Sequence, residues 1–251
     1  MLNKINIEDI KSIARTAGKD IMEIYRRDFH VELKEDKSPL TEADIKANEI
    51  ICDRLKELYP NIPILSEEGR NIPYSERNLW DYFWLIDPID GTKEFIKKTG
   101  EFTVNIALIH GGKPVLGVVY APEIDDLYWA KQGEGAYKNS QKLPLIVNEH
   151  PEEKLTVVAS ASHPSKETQD FIGALETQEV ELIAKGSSLK LCMVAEGVAD
   201  IYPRLAPTME WDTAAAHAVV LEARKEVVQY GSKESLVYNK ENLLNPWFVV
   251  R

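Results

Sequence analysis

The chain has 251 residues, 44% hydrophobic and 28% charged, with a formal net charge of -11. That composition describes an ordinary soluble globular protein of one large domain or two small ones, and its acidity speaks against a nucleic-acid binder, which would carry a basic face. Two cysteines, Cys52 and Cys192, lie far apart, suggest neither a disulfide framework nor a zinc site, and read as buried thiols of a reducing compartment.

No signal peptide opens the chain, and no apolar run is long enough to span a membrane, so a cytoplasmic protein is expected. Peripheral membrane contact and oligomeric state are left open. Ile7, Ile10, Ala14, Ala17, Ile21 and Ile24 recur at helical spacing, with Asn6 as N-cap, and predict an amphipathic helix ending near Arg27. A short strand, 31–34, and a charged loop to Pro39 follow. A second helix starts at Thr41, with Ala43, Ala47, Ile50, Ile51, Leu55 and Leu58 on its apolar side. Asp44, three residues after Thr41, reads from the residues alone as part of a capping-box variant.

Ile62–Leu65 predicts an apolar strand ending in the acids Glu67 and Glu68; residues 70–82 read as a loop. Next comes Trp84-Leu85-Ile86-Asp87-Pro88-Ile89-Asp90-Gly91-Thr92-Lys93-Glu94-Phe95. Pro88 lacks a ladder donor, so the strand is expected to stop there. Two carboxylates at a strand end, followed by a Gly-Thr helix entry, can hold a hard cation and a phosphate together. Strands are predicted at 102–109, 115–120 and 127–130, with Gly111-Gly112 as a tight hairpin. Gly133-Glu134-Gly135 is no dinucleotide fingerprint, and no P-loop is present.

The composition turns polar around His150, where a boundary separates an N-terminal lobe, 1–150, from a C-terminal one, 151–251. Beyond it, strands at 155–159, 180–183, 199–202 and 247–250 alternate with helices at 166–175, 188–195 and after Asp212, which implies a layered α/β arrangement. Asp212 alone reads as an N-cap, Ser187 as a possible cap, Lys190 as one solvated charge, and His217 as packing.

The stretch Asp87 to Thr92 with Phe95 resembles the metal-binding signature of the inositol monophosphatase superfamily, and Phe95 to Leu108 is similar to its bacterial 3'(2'),5'-bisphosphate nucleotidase branch. Trp211-Asp212-Thr213-Ala214 resembles the second signature. Gly186-Ser187-Ser188-Leu189-Lys190 resembles the Gly-Ser-Ser-x-Lys of the branch, and Tyr202-Pro203-Arg204 its Tyr-x-Arg. Ser160-Ala161-Ser162-His163 departs from the branch's Ser-Arg-Ser-His at Ala161. The resemblance covers nearly the whole chain.

The resemblance implies an αβαβα sandwich, of the inositol monophosphatase and fructose-1,6-bisphosphatase type, with the site between the lobes. It implies two or three Mg²⁺ ions held by Glu67, Asp87, Asp90, Asp212 and the carbonyl of Ile89. Glu68 stands beside that set as a supporting acid, and Thr92 with Asp44 orients the attacking water. Amides of Gly91 and Thr92 hold the reacting phosphate, while His163, Ser187, Lys190 and Arg204 contact the nucleotide and its second phosphate. No Gly-x-Ser-x-Gly elbow and no cysteine motif offers another nucleophile. The activity implied is conversion of adenosine 3',5'-bisphosphate to AMP, possible also on 3'-phosphoadenylyl sulfate, in support of sulfate assimilation and sensitive to lithium. The alternative is an inositol or sugar phosphate phosphatase. A regulatory descendant would have lost a ligand or the Thr, and every one is kept.

Overall fold

Asn6 caps the first helix, α1 (Ile7–Tyr25), by accepting from the Glu8 amide at 3.1 Å. The protein is described by a computed structural model over residues 1–33, 39–69, 71–160 and 165–251. Strands β1 (Val31–Leu33) and β2 (Pro39–Thr41) pair antiparallel. Residues 39–41 are thus a strand, and Pro39 fits because it sits at the first position of an edge strand, where no ladder donor is needed. Helix α2 (Glu42–Leu58) starts after Thr41 and lies along α1. Ala43, Ala47, Ile51 and Leu55 join Ile10, Ala14, Ala17 and Ile21 in one core.

The central sheet takes its strands in chain order. β3 (Ile64–Ser66) runs into a 3-10 turn at Glu67–Gly69. A short helix, α3 (Tyr74–Arg77), interrupts the stretch read as a loop. It has no apolar period of its own; long-range bonds from buried Arg77 to the carbonyls of Lys240 and Glu241, at 2.6 and 2.8 Å, order it. Then come β4 (Tyr82–Asp90), α4 (Thr92–Ile96), β5 (Thr103–His110), β6 (Lys113–Ala121), β7 (Asp126–Lys131), β8 (Gly135–Lys138) and β9 (Gln141–Lys142). The order is β3-β4-β5-β6-β7-β8-β9, parallel between β3 and β4 and antiparallel elsewhere. Gly111 and Gly112, with φ of 55 and 74, make the tight turn between β5 and β6.

Period-two alternation divides the sheet between two cores. Trp84, Ile86, Val104, Ile106 and Leu108 face α1 and α2. Leu85, Ala107, Ile109 and Val119 face the other way. There they meet the C-terminal elements: β10 (Lys154–Ala159), α5 (Lys166–Gly173), β11 (Glu179–Ala184), α6 (Leu189–Glu196), β12 (Tyr202–Arg204), α7 (Glu210–Glu222), β13 (Val227–Gln229) and β14 (Phe248–Val250). β10 and β11 pair parallel, and β14 lies between β12 and β13. A bridge from Val157 to Ile201 links the two small sheets. The strand expected at 199–202 is instead 202–204, because β14 supplies its partner, and β13 had no sequence signal beyond two valines.

Helix α7 packs across β4 to β8, with α6 beside it and the small sheets behind; α5 lies against β12. The layers are therefore helix, sheet, helix, sheet, helix: a layered α+β fold, the αβαβα sandwich. Among the described residues no helix is long and apolar enough to cross a membrane.

The close approach of α7 rests on its alanines and on Gly117 in β6. A Cβ on Gly117 would stand 2.1 Å from the Ala215 carbonyl oxygen and 2.9 Å from the Ala218 Cβ. Gly117→Ala is expected to lift α7 from the sheet and cost about 3 kcal/mol, seen as a lowered Tm. Melting at the wild-type temperature would contradict this packing.

Candidate metal centre and substrate cleft

Asp87 and Asp90 are three residues apart, so in an uninterrupted strand they would face opposite sides of the sheet. The β4–β5 ladder is not uninterrupted. Asp87 pairs with Asn105, and pairing resumes with Asp90 opposite Thr103, so β4 carries one extra residue across that step. Pro88 sits in this bulge and the strand runs on to Asp90, instead of stopping at the proline. In a bulge the missing donor leaves no broken rung. The freed Ile89 amide donates to Asp87 Oδ1 at 3.0 Å. Gly91 then turns the chain with φ 94, and a Cβ there would meet the Glu101 carbonyl oxygen at 3.0 Å.

The third acid comes from α7. Asp212 is not the N-cap of α7 but its third residue, accepting from the Met209 amide at 2.9 Å. Carboxylate oxygens of Asp87, Asp90 and Asp212 all lie within 4.8 Å of one another. Their electrostatics are those of crowded buried anions. Burial, then Glu67, Asp90, Asp212 and Asp44, hold the Asp87 pKa well above the usual range. Burial pushes Asp90 up to about 6 against the opposing pull of Lys190. Burial and the Asp90 charge push Asp212 up to about 8. Glu67, in the 3-10 turn after β3, acts on all three through its charge. Glu68 follows it, half-buried in the same turn. An all-oxygen set of mutually repelling acids fits a hard divalent cation such as Mg²⁺.

Asp44 does two things at once. Its Oδ2 accepts from the Thr41 amide at 2.7 Å and the Thr41 hydroxyl at 2.6 Å, which is the capping box. Its Oδ1 accepts from the Thr92 hydroxyl at 3.3 Å. Thr92 also reaches the Ile89 carbonyl at 3.2 Å. Thr41-x-x-Asp44 thus forms a capping box whose acid turns its second oxygen to Thr92.

The acids open onto a cleft of about 460 Å³ lined by Asp90, Gly91, Ser187, Lys190, Arg204 and Asp212, among others. Lys190 is not a solvated charge; it is 6% exposed. Its ammonium donates to the carbonyls of Ser187 at 2.7 Å and Lys185 at 3.3 Å and lies 5.6 Å over the Tyr202 ring. Burial lowers its pKa to about 8 although Asp90 pulls it up. Arg204 donates to the Pro207 carbonyl at 2.7 Å, and its buried Nε has no partner among the described residues. Ser187 has φ 49 and is not the cap of α6; Ser188 holds that position without a side-chain cap bond. Ala161 and His163 lie outside the described residues. His217 is buried, with Nδ1 2.8 Å from the Tyr238 hydroxyl, and burial lowers its pKa to about 3. Neither cysteine is disulfide-bonded; Cys192 is buried and Cys52 only partly so.

Sequence reasoning passed over three polar residues here. Thr103 and Asn105 are buried on β5, and the Ser188 hydroxyl lies 2.9 Å from each side chain. The available signal was two polar residues, alternating, at the start of an otherwise apolar strand.

A fold of this layering with an acid cluster beside a cationic cleft defines a class, and the comparisons agree. The chain belongs to the inositol monophosphatase family, whose model matches residues 3–247. It is 44% identical over 246 residues, 97% of this chain and 98% of the relative, to 3'(2'),5'-bisphosphate nucleotidase CysQ of Escherichia coli. To the protein of that name from Haemophilus influenzae it is 38% identical over 252 residues, 99% of this chain and 93% of the relative. Among solved structures it is similar to CysQ from Bacteroides thetaiotaomicron, with TM-score 0.85 and 47% identity over 95% of this chain and 93% of that one. Against Thermotoga maritima IMPase the TM-score is 0.77 and the identity 27%, over 95% and 89%.

A carboxyl whose native pKa lies above its unfolded value destabilises the protein as pH rises between the two values. For Asp90 and Asp212 that window runs from 3.8 up to about 6 and about 8. The Mg²⁺-induced rise in Tm should accordingly be larger near pH 8 than near pH 5. Asp87→Asn, which removes one charge from the cluster, should nearly abolish it. A Mg²⁺ shift equal at both pH values, or unchanged in Asp87→Asn, would contradict the assignment.

Proposed function

We propose that this protein is a Mg²⁺-dependent 3'(2'),5'-bisphosphate nucleotidase that hydrolyses adenosine 3',5'-bisphosphate to AMP and phosphate, and also accepts 3'-phosphoadenylyl sulfate. The observation that carries this reading is the pairing, in one cleft, of an acid cluster with a buried ammonium, Lys190. A substrate with one phosphate needs the first; a substrate with two needs both. The CysQ relatives, similar over nearly their whole length, support the nucleotide as substrate. Support for sulfate assimilation, a cytoplasmic location and lithium inhibition belong to the same reading.

Glu67, Asp87, Asp90, Asp212 and the Ile89 carbonyl would hold two or three Mg²⁺ ions. Bound Mg²⁺ supplies Lewis acidity toward the phosphoryl oxygens and lowers the pKa of the attacking water. The chain's own residues do the rest. Both acceptors of the Thr92 hydroxyl, Ile89 O and Asp44 Oδ1, can only accept, so its single proton is committed to them. Its lone pairs are then left to accept from a water, which aims that water's own lone pair at phosphorus. Asp44 is fixed by Thr41 while it holds Thr92, and Glu68 supports Glu67 from the adjoining position. Gly91 and Thr92 amides position the reacting phosphate for in-line attack. Water adds to phosphorus, the ester P–O bond breaks, and the ribose oxygen leaves with a proton. Ser187, Lys190, Arg204 and His163 take the nucleotide and the phosphate that does not react, in a cleft between lobes 1–150 and 151–251.

Phosphate release measured on adenosine 3',5'-bisphosphate and inositol 1-phosphate, with and without Mg²⁺, tests the reading. Mg²⁺-dependent turnover with strong preference for the nucleotide is expected; preference for the inositol phosphate would overturn it. Thr92→Ala should lower kcat about a hundredfold with little change in KM, whereas Thr92→Ser should retain most activity. A Thr92→Ala effect confined to KM would make Thr92 a binding residue.

A further inference from the structure

The turn that carries Lys190 is strained and tied down. Ser187 has φ 49, a left-handed conformation that costs a non-glycine residue energy and persists only where its surroundings impose it. The impositions are visible. The Gly186 amide donates to Glu101 Oε2 at 2.8 Å, and a Cβ on Gly186 would stand 2.8 Å from the Glu101 carbonyl oxygen. The Ser188 hydroxyl, 1% exposed, donates to Asn105 Oδ1 at 2.9 Å. Since that oxygen can only accept, the serine proton points to it, and the 2.9 Å contact with Thr103 must have the threonine as donor.

These bonds join the two halves of the site. Asn105 and Thr103 are the cross-strand partners of Asp87 and Asp90. One residue before Ser188 is the carbonyl that holds the Lys190 ammonium. A chain thus runs from the acid cluster through β5 to Ser188, to the Ser187 carbonyl and to Lys190. Resting on the reading that Lys190 meets the non-reacting phosphate, we infer that Ser188, held by Thr103 and Asn105, is the positioning residue that sets preference for two phosphates over one. Without the serine hydroxyl the turn relaxes out of its left-handed conformation and carries the Ser187 carbonyl, and with it the ammonium, away from the cleft. The acids and the Gly91 and Thr92 amides assigned to the reacting phosphate lie on other elements than that turn.

The test compares kcat/KM for adenosine 3',5'-bisphosphate and adenosine 3'-monophosphate in wild type, Ser188→Ala, Lys190→Ala and the double variant. Ser188→Ala should lose about tenfold on the bisphosphate, mostly in KM, with under about twofold on the monophosphate. In the Lys190→Ala background Ser188→Ala should cost nothing more on the bisphosphate, because both act through one ammonium. Should Ser188→Ala not fold, Thr103→Val, which removes the hydroxyl at constant shape, should lower the same ratio, and Thr103→Ser should recover it. Equal losses on both substrates, or additive losses in the double variant, would overturn the assignment. A wild-type enzyme without preference for the bisphosphate would overturn the substrate reading and this assignment with it; a wild-type preference that Ser188→Ala and Thr103→Val leave intact overturns the assignment alone.

Discussion

Three carboxylates whose oxygens gather within 4.8 Å repel one another, and Asp87 is buried besides, with Asp90 and Asp212 partly so. Left alone, such a cluster costs stability; it persists because rigid elements deliver each acid separately. The bulge at Pro88 turns Asp87 and Asp90 toward one side of the sheet. Helix α7 delivers Asp212, and it can lie that close to the sheet because Gly117 and the alanines of α7 present no bulk. The sandwich serves as a frame that holds like charges together.

Two of the acids share a local solution. Asp44 and Asp212 each occupy the third position of a helix, and each spends one oxygen on the amide of the residue before that helix. A capping acid is held by backbone, so its remaining oxygen is fixed in direction without further side chains. Asp44 turns that oxygen to Thr92. In both, the cap is what orients the remaining oxygen.

The cleft also solves a problem of sign. A chain of net charge -11 would repel a polyanion in general. Lys190 and Arg204 give one wall the opposite sign. Burial of Lys190 strengthens its interaction with any anion that enters, and the carbonyls of its own turn hold its ammonium in place.

Much of this was legible in the residues. Helical spacing gave α1 and, apart from exposed Leu58, α2 their buried faces, the Gly-Gly pair gave the hairpin, and apolar runs gave β3 to β7 though not β8 and β9, since all three signals depend on neighbours within a few positions. The acids Asp87 and Asp90, the Gly-Thr entry, and the resemblance carried by them pointed to metal and phosphate together. Tertiary structure alone decided the rest. Pro88 ends no strand, because its bulge exists only against β5. α3 and β13 form because distant partners complete them, β2 because it pairs with β1, and β12 shifts to meet β14. Lys190 reads as a surface charge along the chain, yet it is buried once Tyr202 and the carbonyls of Lys185 and Ser187 surround it. Thr103, Asn105 and Ser188 are ordinary polar residues in sequence; they become one chain because the fold sets residues 83 or more positions apart within hydrogen-bond distance. Local propensity is written in short-range pattern, while the meeting of charges and hydroxyls from separate layers is decided only when the layers pack.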